Sequence, residues 1–489
     1  MRKPLLFLSA AVLVISASAV PAQNPVRQLD PRLVAEAQKD HAQLVEEYGG
    51  AETGPRAAYV DSVGKKVAAF SGVVNPASSY RFTLLNSAVE NAFSVPGGYI
   101  YVTRQLLTLM DDEAELAFAL GHEVGHVAAS HAQQRVQAER EAVRRQLPWI
   151  MIGSIFGGNL GNAVATRGLL RAELQTLSFS REQEYQADTL GMRYMVAAGY
   201  DPAGATEMLA ALTRNSALEA RVQGADNRKL PEWASTHPLS ENRLQRQIAE
   251  SRQTGRLGTG ITNRNAFLDR LDGVFVDDDP AQGVIDGRTF THPDLKIQFT
   301  VPVGYLMDNG TSAVTISGSG GEAQFAGNAY NGTAENFVYA VMHSVLGDRP
   351  PQIAPPRRTV INGIPAAYTV SRARTSSGVV DLAVVGYQWE PGRFYYFVTM
   401  SPAGTGFGPF GSMITSIRKI APAEAAAIRP RIIDVVTVAP GDTVQSLSSR
   451  MAYRNFQVDR FLTLNNLAPG TRLAPGQKVK LIVYGERRS

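Results

Sequence analysis

His122 and His126 flank Glu123 in the sequence His-Glu-Val-Gly-His, and this motif constrains the fold of the chain more than any other feature. It lies within residues 112–140, a run of strong helix formers with an apolar stripe, which predicts a helix. Residues four apart on a helix are separated by about 40° of rotation, so both imidazoles can reach one metal ion. Glu123, offset by about 100°, can instead hydrogen-bond a metal-bound water.

A third ligand is available further along the chain. The sequence has no cysteine, so a metal must bind to nitrogen and oxygen ligands. Glu184 lies about sixty residues downstream, in a helical pattern predicted over residues 167–211. Two histidines from one helix and a glutamate from another form a catalytic zinc site. Asp188, one turn later, is well placed to accept a hydrogen bond from a ligand histidine.

The chemistry of peptide hydrolysis explains why these residue types are needed. Peptide hydrolysis requires a strong nucleophile and stabilisation of charge on the carbonyl oxygen, and zinc with three protein ligands supplies both. Glu123 is then the general base. The alternative, an exposed helix with incidental histidines, predicts no third ligand. His131 falls five residues after His126, off the ligand face, so we expect it to be structural, and we expect Glu182 to be a solvated surface charge.

The chain of 489 residues exceeds what one hydrophobic core can hold, so several domains are expected. We predict a multidomain α+β protein. A mainly helical zincin-type domain with a small sheet covers residues 30–270, and a small α+β domain of unassigned role covers residues 285–421. A small third domain covers residues 433–484, after a signal peptide at residues 1–22.

The amino terminus has the features of an export signal. Arg2 and Lys3 precede an apolar stretch at residues 5–15, and small residues follow, with cleavage expected after Ala19 or Ala22. A retained anchor is the alternative, but the stretch is shorter than the roughly 20 residues of a spanning helix. We therefore expect a periplasmic protein. Residues 147–166 carry no charge, and we interpret them as a buried helix or flap rather than a membrane insertion.

The motifs of residues 30–249 resemble those of the HtpX-like and BepA-like gluzincin zinc metallopeptidases, the superfamily of the Ste-type CAAX and Oma-type proteases. The matching motifs are Gly-His-Glu-Val-Gly-His at 121–126 and Ser-Arg-x-x-Glu-x-x-Ala-Asp at 180–188. Two further segments are similar. One resembles the family's substrate edge and contains Asn91, Phe93, Gly97 and Gly98, and the other is Thr-His-Pro at 236–238 with Arg243.

The resemblance implies that Glu184 is the third zinc ligand and that Asp188 supports the ligands. It also implies a role for His237, as a regulatory fourth ligand that occludes the open position or as a transition-state donor. The alternative is a histidine that caps a turn before Pro238, because Thr-His-Pro is a common turn composition.

Residues 434–483 resemble a LysM module. The matching segments are Val-Ala-Pro-Gly-Asp-Thr-Val at 438–444, Leu-Asn-Asn-Leu at 464–467 and Leu-Ala-Pro-Gly-Gln at 473–477. The resemblance implies binding to the N-acetylglucosamine of peptidoglycan, and the alternative is a LysM-shaped fold that only docks on its neighbours. Residues 422–489 carry ten Lys and Arg against five Asp and Glu, which suits contact with an anionic polymer or a membrane surface.

Three function classes follow. The first is an exported zinc endopeptidase that cleaves unfolded or misassembled envelope proteins, in quality control or outer-membrane assembly. The second is a chaperone-like or cell-wall-binding envelope protein with a mostly closed zinc site. The third is a cell-wall amidase. We expect no nucleic-acid partner, and we expect at most peripheral contact with a membrane.

Overall fold

A computed structural model of the chain describes residues 27–134, 179–223, 233, 236–238, 240–346, 353–375 and 378–486. The predicted export signal and the uncharged stretch at 147–166 lie outside these residues. Within the described parts of the chain, no helix is both long enough and apolar enough to cross a bilayer.

The first domain is mainly helical with one small sheet. Its helices are α1 (Pro31–Glu47), α2 (Pro55–Ala68), α3 (Pro76–Ser79), α4 (Arg104–Leu109), α5 (Glu113–Ala129), α6 (Arg181–Ala197), α7 (Ala203–Gln223), α8 (Glu241–Gln253) and α9 (Arg264–Leu271). Its strands are β1 (Arg81–Leu85), β2 (Ala92–Val95) and β3 (Tyr99–Thr103), which form a sheet in the order β1-β3-β2.

Helix α5 is the centre of this domain, and glycines allow α6 to approach it closely. A Cβ on Gly191 would lie 2.8 Å from the backbone nitrogen of His122, and one on Gly125 would lie 3.1 Å from the carbonyl oxygen of Ala187. Every residue of α5 from Glu113 to Val127 is buried, because α2, α6 and α7 also pack against it. The close approach of α5 and α6 brings the third predicted ligand to the two histidines.

The small sheet also packs against α5. Strand β3 is central and pairs in parallel with β1 and antiparallel with β2. Strand β2 is therefore an edge strand, and it contacts α5. Apolar side chains of α1 pack with aromatic residues of this sheet, including Phe93 and Tyr101.

The second domain consists of two antiparallel sheets with a helix. Its elements are β5 (Val284–Asp286), β6 (Thr289–His292), β7 (Ile297–Thr300), β8 (Leu306–Asn309), β9 (Ala313–Gly318), β10 (Gly321–Ala329), α10 (Ala334–Leu346), β11 (Arg357–Ile361), β12 (Ile364–Thr375), β13 (Gly378–Glu390), β14 (Arg393–Pro402), α11 (Gly411–Ser416) and β15 (Arg418–Lys419). The larger sheet has the order β11-β12-β13-β14-β10-β9-β8 and the smaller one β15-β7-β6-β5. Asn362 and Gly363, both at positive φ, form the predicted hairpin turn between β11 and β12.

The last domain follows α12 (Pro422–Ala427) and has the order β-α-α-β. Its elements are β16 (Arg431–Thr437), α13 (Val444–Ser448), α14 (Gln457–Leu464) and β17 (Lys478–Tyr484). Strand β16 also pairs with a short strand, β4 (Phe275–Val276), which directly follows the first domain. The apolar side chains of this last domain and of the first domain form one continuous core. The last domain is therefore firmly docked on the first.

Most predicted elements are confirmed, as is the multidomain α+β architecture. Two of the predicted helical segments are interrupted within the described residues. In the segment predicted over 112–140, α5 stops at Ala129, because Ser130 adopts a left-handed conformation, and residues 131–134 are helical again. The segment predicted over 167–211 breaks after Ala197, where Gly199 has a φ of +90°. Residues 135–140 and 167–178 of these two segments lie outside the described residues.

Candidate metal centre

The two motif histidines project from the middle of α5, a helix with a well-formed start. Asp112 caps it by accepting hydrogen bonds from the backbone N–H groups of Ala114 and Glu115. His122 and His126 are almost completely buried. Their Nε2 atoms lie 3.0 Å apart, so both rings point to the same small volume.

Helix α6 places Glu184 beside the two histidine rings. Ser180 begins α6 with a capping box to Gln183, which fixes the first turn that contains Glu184. The Glu184 carboxylate lies 3.6 Å from His122 Nε2 and 3.5 Å from His126 Nε2. The two helices thus bring together the three residues that the sequence analysis assigned as ligands.

His237 also enters this cluster. Its Nδ1 atom lies 3.2 Å from His122 Nε2 and 3.0 Å from Glu184 Oε1. The ring of Trp233 stacks on it, with centroids 4.4 Å apart, and Phe179 lies against the ring of His126 at 3.9 Å. The structure therefore places His237 at the centre, where two aromatic rings help to exclude water.

The donor atoms of this cluster suit a divalent metal ion. Ligand atoms of His122, His126, Glu184 and His237 all lie within 4.8 Å of one another. Two imidazoles and a carboxylate are the donors of catalytic zinc sites. Burial lowers the pKa of His126 well below its usual value, which favours the neutral ring that a metal requires. Burial alone would raise the pKa of Glu184, but His237, His126 and Arg243 hold it well below its usual range.

Asp188 and Arg243 lie behind the ligands. Asp188 Oδ1 is 3.0 Å from His122 Nδ1, the ring nitrogen that faces away from the cluster. Arg243 lies 2.7 Å from Glu184 Oε2 and also binds Asp188. Burial raises the pKa of Asp188, but the guanidinium of Arg243 and the hydrogen bond to His122 give a net lowering. Asp188 therefore fits the predicted role of orienting a ligand histidine.

Glu123 lies beside the ligand cluster. Its Oε2 atom accepts a 2.9 Å hydrogen bond from the hydroxyl of Ser94, and its Oε1 atom is 3.4 Å from His237 Nε2. The Oε1 atom is buried and has no hydrogen-bond partner among the described residues. The sequence analysis did not identify Ser94, although it lies in β2 between residues assigned to the substrate edge.

The predicted edge residues have different roles. Phe93 points into the core between Tyr48 and Tyr101, with ring centroids 4.9 and 4.8 Å away. Gly97 and Gly98 form the turn into β3 at positive φ, where an added Cβ would lie 2.6 Å or less from backbone oxygens. Asn91 is buried just before β2. These four residues shape the edge strand, and Ser94 is the one that reaches the Glu123 carboxylate.

A cavity of about 220 Å³ opens beside this edge. Leu33, Val95, Pro96, Val127 and His126 contribute to its lining, so it is continuous with the metal centre and partly apolar. A larger cavity of about 660 Å³ lies elsewhere, near Arg56 and Asp294, and no residue of the metal centre lines it. The smaller cavity is therefore the one positioned to receive a side chain next to the ligands.

The sequence analysis missed a contact between His131 and the ligand His126. His131 is completely buried, and its Nδ1 atom lies 3.0 Å from Nδ1 of His126. In a continuous helix, residues five apart would be separated by about 140°, which would carry His131 away from His126. The left-handed Ser130 ends α5 and turns the chain back. His131 is therefore not in the ligand cluster, but it contacts a ligand.

Comparisons with known proteins agree with this geometry. Residues 55–250 match the model of peptidase family M48, and residues 436–481 match the LysM domain. The beta-barrel assembly-enhancing protease of Escherichia coli is 27% identical over 191 residues, which is 38% of this chain and 37% of that protein. The mitochondrial metalloendopeptidase OMA1 of Schizosaccharomyces pombe is 30% identical over 238 residues, which is 47% of this chain and 65% of that protein.

The alignments cover about a third to two thirds of these relatives' own lengths. A solved structure of cyanobacterial PsbP from Synechocystis matches 28% of this chain and 98% of its own chain, at 13% identity and a TM-score of 0.23. The chain thus combines a peptidase family M48 domain with a LysM domain.

Proposed function

We propose that this protein is a zinc-dependent endopeptidase. One observation carries the proposal: His122, His126 and Glu184 converge in one buried cluster, and the carboxylate of Glu123 lies directly beside it. A fold that needed these residues only for stability would not bury two imidazoles and two carboxylates together, because each unpaired polar group costs free energy.

His122, His126 and Glu184 would hold the zinc ion, which when bound polarises the scissile carbonyl and makes water a stronger nucleophile near neutral pH. Glu123 takes the proton from the attacking water at Oε1, since Oε2 is engaged by Ser94. It then delivers that proton to the leaving amine. Trp233 and Phe179 cover the imidazoles and keep bulk water away.

The edge strand β2 supports an extended peptide as the substrate. Its outer side faces no other strand of the sheet, so its backbone groups can pair with a peptide running alongside. Such pairing recognises the backbone of the peptide, and folded proteins rarely expose an unpaired extended segment. We propose that the substrates are unfolded or misassembled envelope proteins, and the similarity to a beta-barrel assembly-enhancing protease and to a mitochondrial metalloendopeptidase supports proteolysis of this kind.

Export to the periplasm and contact with peptidoglycan belong to the same proposal. The export signal read from residues 1–22 supports the location. In the LysM domain, Val438 pairs with Gly476 and Gln477, so the loop after β16 lies beside the loop before β17. Residues 439–441 and 474–476 of these loops are exposed, which supports binding of a glycan at this end although the rest of the domain is docked.

The test is cleavage of an unfolded protein by the purified full chain. Reduced, carboxymethylated α-lactalbumin should be cut when zinc is bound. Glu123→Gln should abolish cleavage while the zinc content stays at one ion per chain, and Glu184→Ala should lose the zinc. Equal cleavage by wild type and Glu123→Gln would refute the proposal. Cleavage of muropeptides instead of proteins would indicate an amidase.

A second candidate is favoured by the position of His237. Its Nδ1 atom lies among the ligand atoms, 3.2 Å from His122 Nε2, so it could occupy a fourth position on the metal. The site would then be closed at rest, and the protein would act mainly as a chaperone-like binder. His237→Ala should raise proteolysis severalfold if this is so. Unchanged proteolysis would remove this candidate, and lower proteolysis would instead favour His237 as a catalytic donor.

A further inference from the structure

We propose that His131 is a positioning residue that selects the metal-binding tautomer of His126, through a relay that begins at Gln186. This inference rests on the proposed metal site and adds a residue to it. The relay runs from the Gln186 side chain to His131, from His131 to His126, and from His126 to the ligand cluster.

The contacts form an unbroken series. Gln186 Oε1 lies 3.1 Å from His131 Nε2, and His131 Nδ1 lies 3.0 Å from His126 Nδ1. The opposite nitrogen of His126, Nε2, faces His122 and Glu184. His126 thus presents one ring nitrogen to the ligand cluster and the other to His131.

The position of each proton in this series depends on which atoms can donate a hydrogen bond. An amide oxygen only accepts, so the proton of His131 must lie on Nε2. In a neutral ring Nδ1 then carries a lone pair and accepts from His126 Nδ1–H. This leaves a lone pair on His126 Nε2, which is what a metal ligand needs.

The reverse arrangement is incompatible with a metal. If the Gln186 amide were rotated so that its NH₂ group donated to His131 Nε2, His131 would carry its proton on Nδ1. His126 Nδ1 would then have to accept, and the proton of a neutral His126 would lie on Nε2, inside the ligand cluster. The orientation of one amide is therefore coupled to the ability of His126 to bind a metal.

The position of His131 is fixed by the backbone conformation before it and by a hydrogen bond from α6. Ser130 in the left-handed conformation ends α5 and returns His131 to the helix. Gln183, one turn before Gln186 on α6, donates from its amide nitrogen to the backbone oxygen of His131 at 3.3 Å. Helix α6 thus supplies the ligand Glu184, the start of the relay at Gln186, and Asp188.

The two ligand histidines are oriented by different chemistry. His122 Nδ1 faces the carboxylate of Asp188, which Arg243 neutralises in turn. Among the described residues, His126 Nδ1 faces the neutral His131 ring. A neutral acceptor holds the ring of His126 without adding a further negative charge to the cluster, which already contains Glu123 and Glu184.

The test compares two replacements of His131 in the full chain. His131→Asn places an amide oxygen near the position of Nδ1, so it can accept from His126, whereas His131→Phe fills the space without an acceptor. The zinc dissociation constant is measured by competition with a chelator. We expect roughly 10–100-fold weaker binding for His131→Phe and less than about threefold for His131→Asn.

A spectroscopic readout separates orientation from packing. In the cobalt-substituted chain, the Nδ1 proton of each ligand histidine gives a strongly shifted, exchangeable proton resonance. The resonance of His126 should broaden or vanish in His131→Phe and persist in His131→Asn, while that of His122 should be unchanged in both. The metal-free forms of both variants must unfold at the same temperature as wild type, within about 2 °C.

The outcomes are distinct. If wild type binds no zinc, the proposed function fails before the relay is tested. If wild type binds zinc and His131→Phe binds it equally well with both resonances intact, the relay is wrong. If His131→Asn loses zinc as strongly as His131→Phe, His131 acts by its shape and the relay is also wrong. Gln186→Leu, on the exposed side of α6, should weaken zinc binding less than His131→Phe does.

Discussion

Arg243 and Asp188 form a buried ion pair with two hydrogen bonds, directly behind the ligand His122. Nη2 of Arg243 lies 2.7 Å from Oδ1 of Asp188, and Nε lies 2.8 Å from Oδ2. Both side chains are about 2% exposed. The same Asp188 carboxylate faces His122 Nδ1, so the guanidinium fixes the group that orients the histidine.

Replacing Arg243 by methionine should strongly destabilise the first domain. The change leaves the carboxylate of Asp188 buried without its counter-charge. Breaking a buried ion pair by removing one partner costs about 3–5 kcal/mol. The free energy of unfolding, measured with urea for the zinc-loaded protein, should fall by about that amount, and zinc affinity should fall with it.

Arg246 provides the matched control for this variant. It lies on the same helix, α8, but its side chain is 50% exposed and its contact with Glu250 is a surface ion pair. Arg246→Met should change stability by less than about 1 kcal/mol. Arg243→Lys should recover only part of the loss, because an ammonium cannot bind two carboxylates with a planar fork. Equal effects at positions 243 and 246 would contradict this interpretation.

Ser94→Ala should slow peptide cleavage without affecting the metal. Its hydroxyl holds one oxygen of Glu123, and a hydrogen bond to a charged group is worth about 1.5–3 kcal/mol. We expect kcat to fall about tenfold or more, with KM and zinc content unchanged. Ser94→Thr keeps the hydroxyl and should retain most activity. A loss of zinc in Ser94→Ala would show that the residue supports the ligands instead.

The sequence was sufficient to identify the parts of the site that depend on local periodicity. His122, Glu123 and His126 follow from helical spacing, and Glu184 and Asp188 follow from their one-turn spacing on a second predicted helix together with the family resemblance. Spacing alone could not show that α5 and α6 touch. That contact depends on Gly125 and Gly191, which look like helix-weakening residues until both helices are placed together.

The contacts of His131, Ser94 and Trp233 were not predictable for a different reason. His131 reaches His126 because Ser130 adopts a left-handed backbone conformation, which a serine rarely does. Trp233 reaches the site from a segment whose path the sequence does not specify. Docking of the LysM domain was one of two alternatives, and the sequence could not decide between them, because its apolar face looks the same whether it covers its own core or another domain.

Asp112→Asn should stabilise the protein at neutral pH. Burial raises the pKa of this carboxyl to about 7, against the opposing effect of its backbone hydrogen bonds. The folded state then holds the proton more tightly than the unfolded chain, so stability falls as pH rises from about 4 to about 7. Asparagine keeps the helix cap without the charge. The gain should be about 1–3 kcal/mol at pH 8.

Thermal unfolding of the zinc-loaded chain between pH 5 and pH 8 measures this difference. Asp112→Asn should unfold several degrees above wild type at pH 8 and near it at pH 5. Asp61→Asn is the control, because Asp61 is a partly exposed residue paired with Lys65 on α2. A stabilisation by Asp112→Asn that is the same at both pH values would contradict a role for the proton.

Lys480→Met should uncouple the LysM domain from the first domain. Lys480 is completely buried, and its ammonium donates to the backbone oxygens of Thr108 and Met110 at 2.9 and 2.6 Å. It also lies 3.1 Å from the Asp111 carboxylate. Methionine keeps the length of the side chain but removes the nearest counter-charge of that carboxylate, which then has only the more distant guanidinium of Arg264, at 4.0 Å, among the described residues. We expect a loss of about 3–5 kcal/mol in urea unfolding.

The variant Lys478→Met is the control that distinguishes loss of docking from a general effect of removing a lysine charge. Lys478 lies two residues earlier on β17 and pairs with Asp269, whose side chain is 59% exposed, so Lys478→Met should cost less than about 1 kcal/mol. Because both domains share one core, wild type should unfold them together, whereas Lys480→Met should separate two transitions in hydrogen exchange. Independent unfolding of the LysM domain in wild type would mean that the shared core contributes little stability.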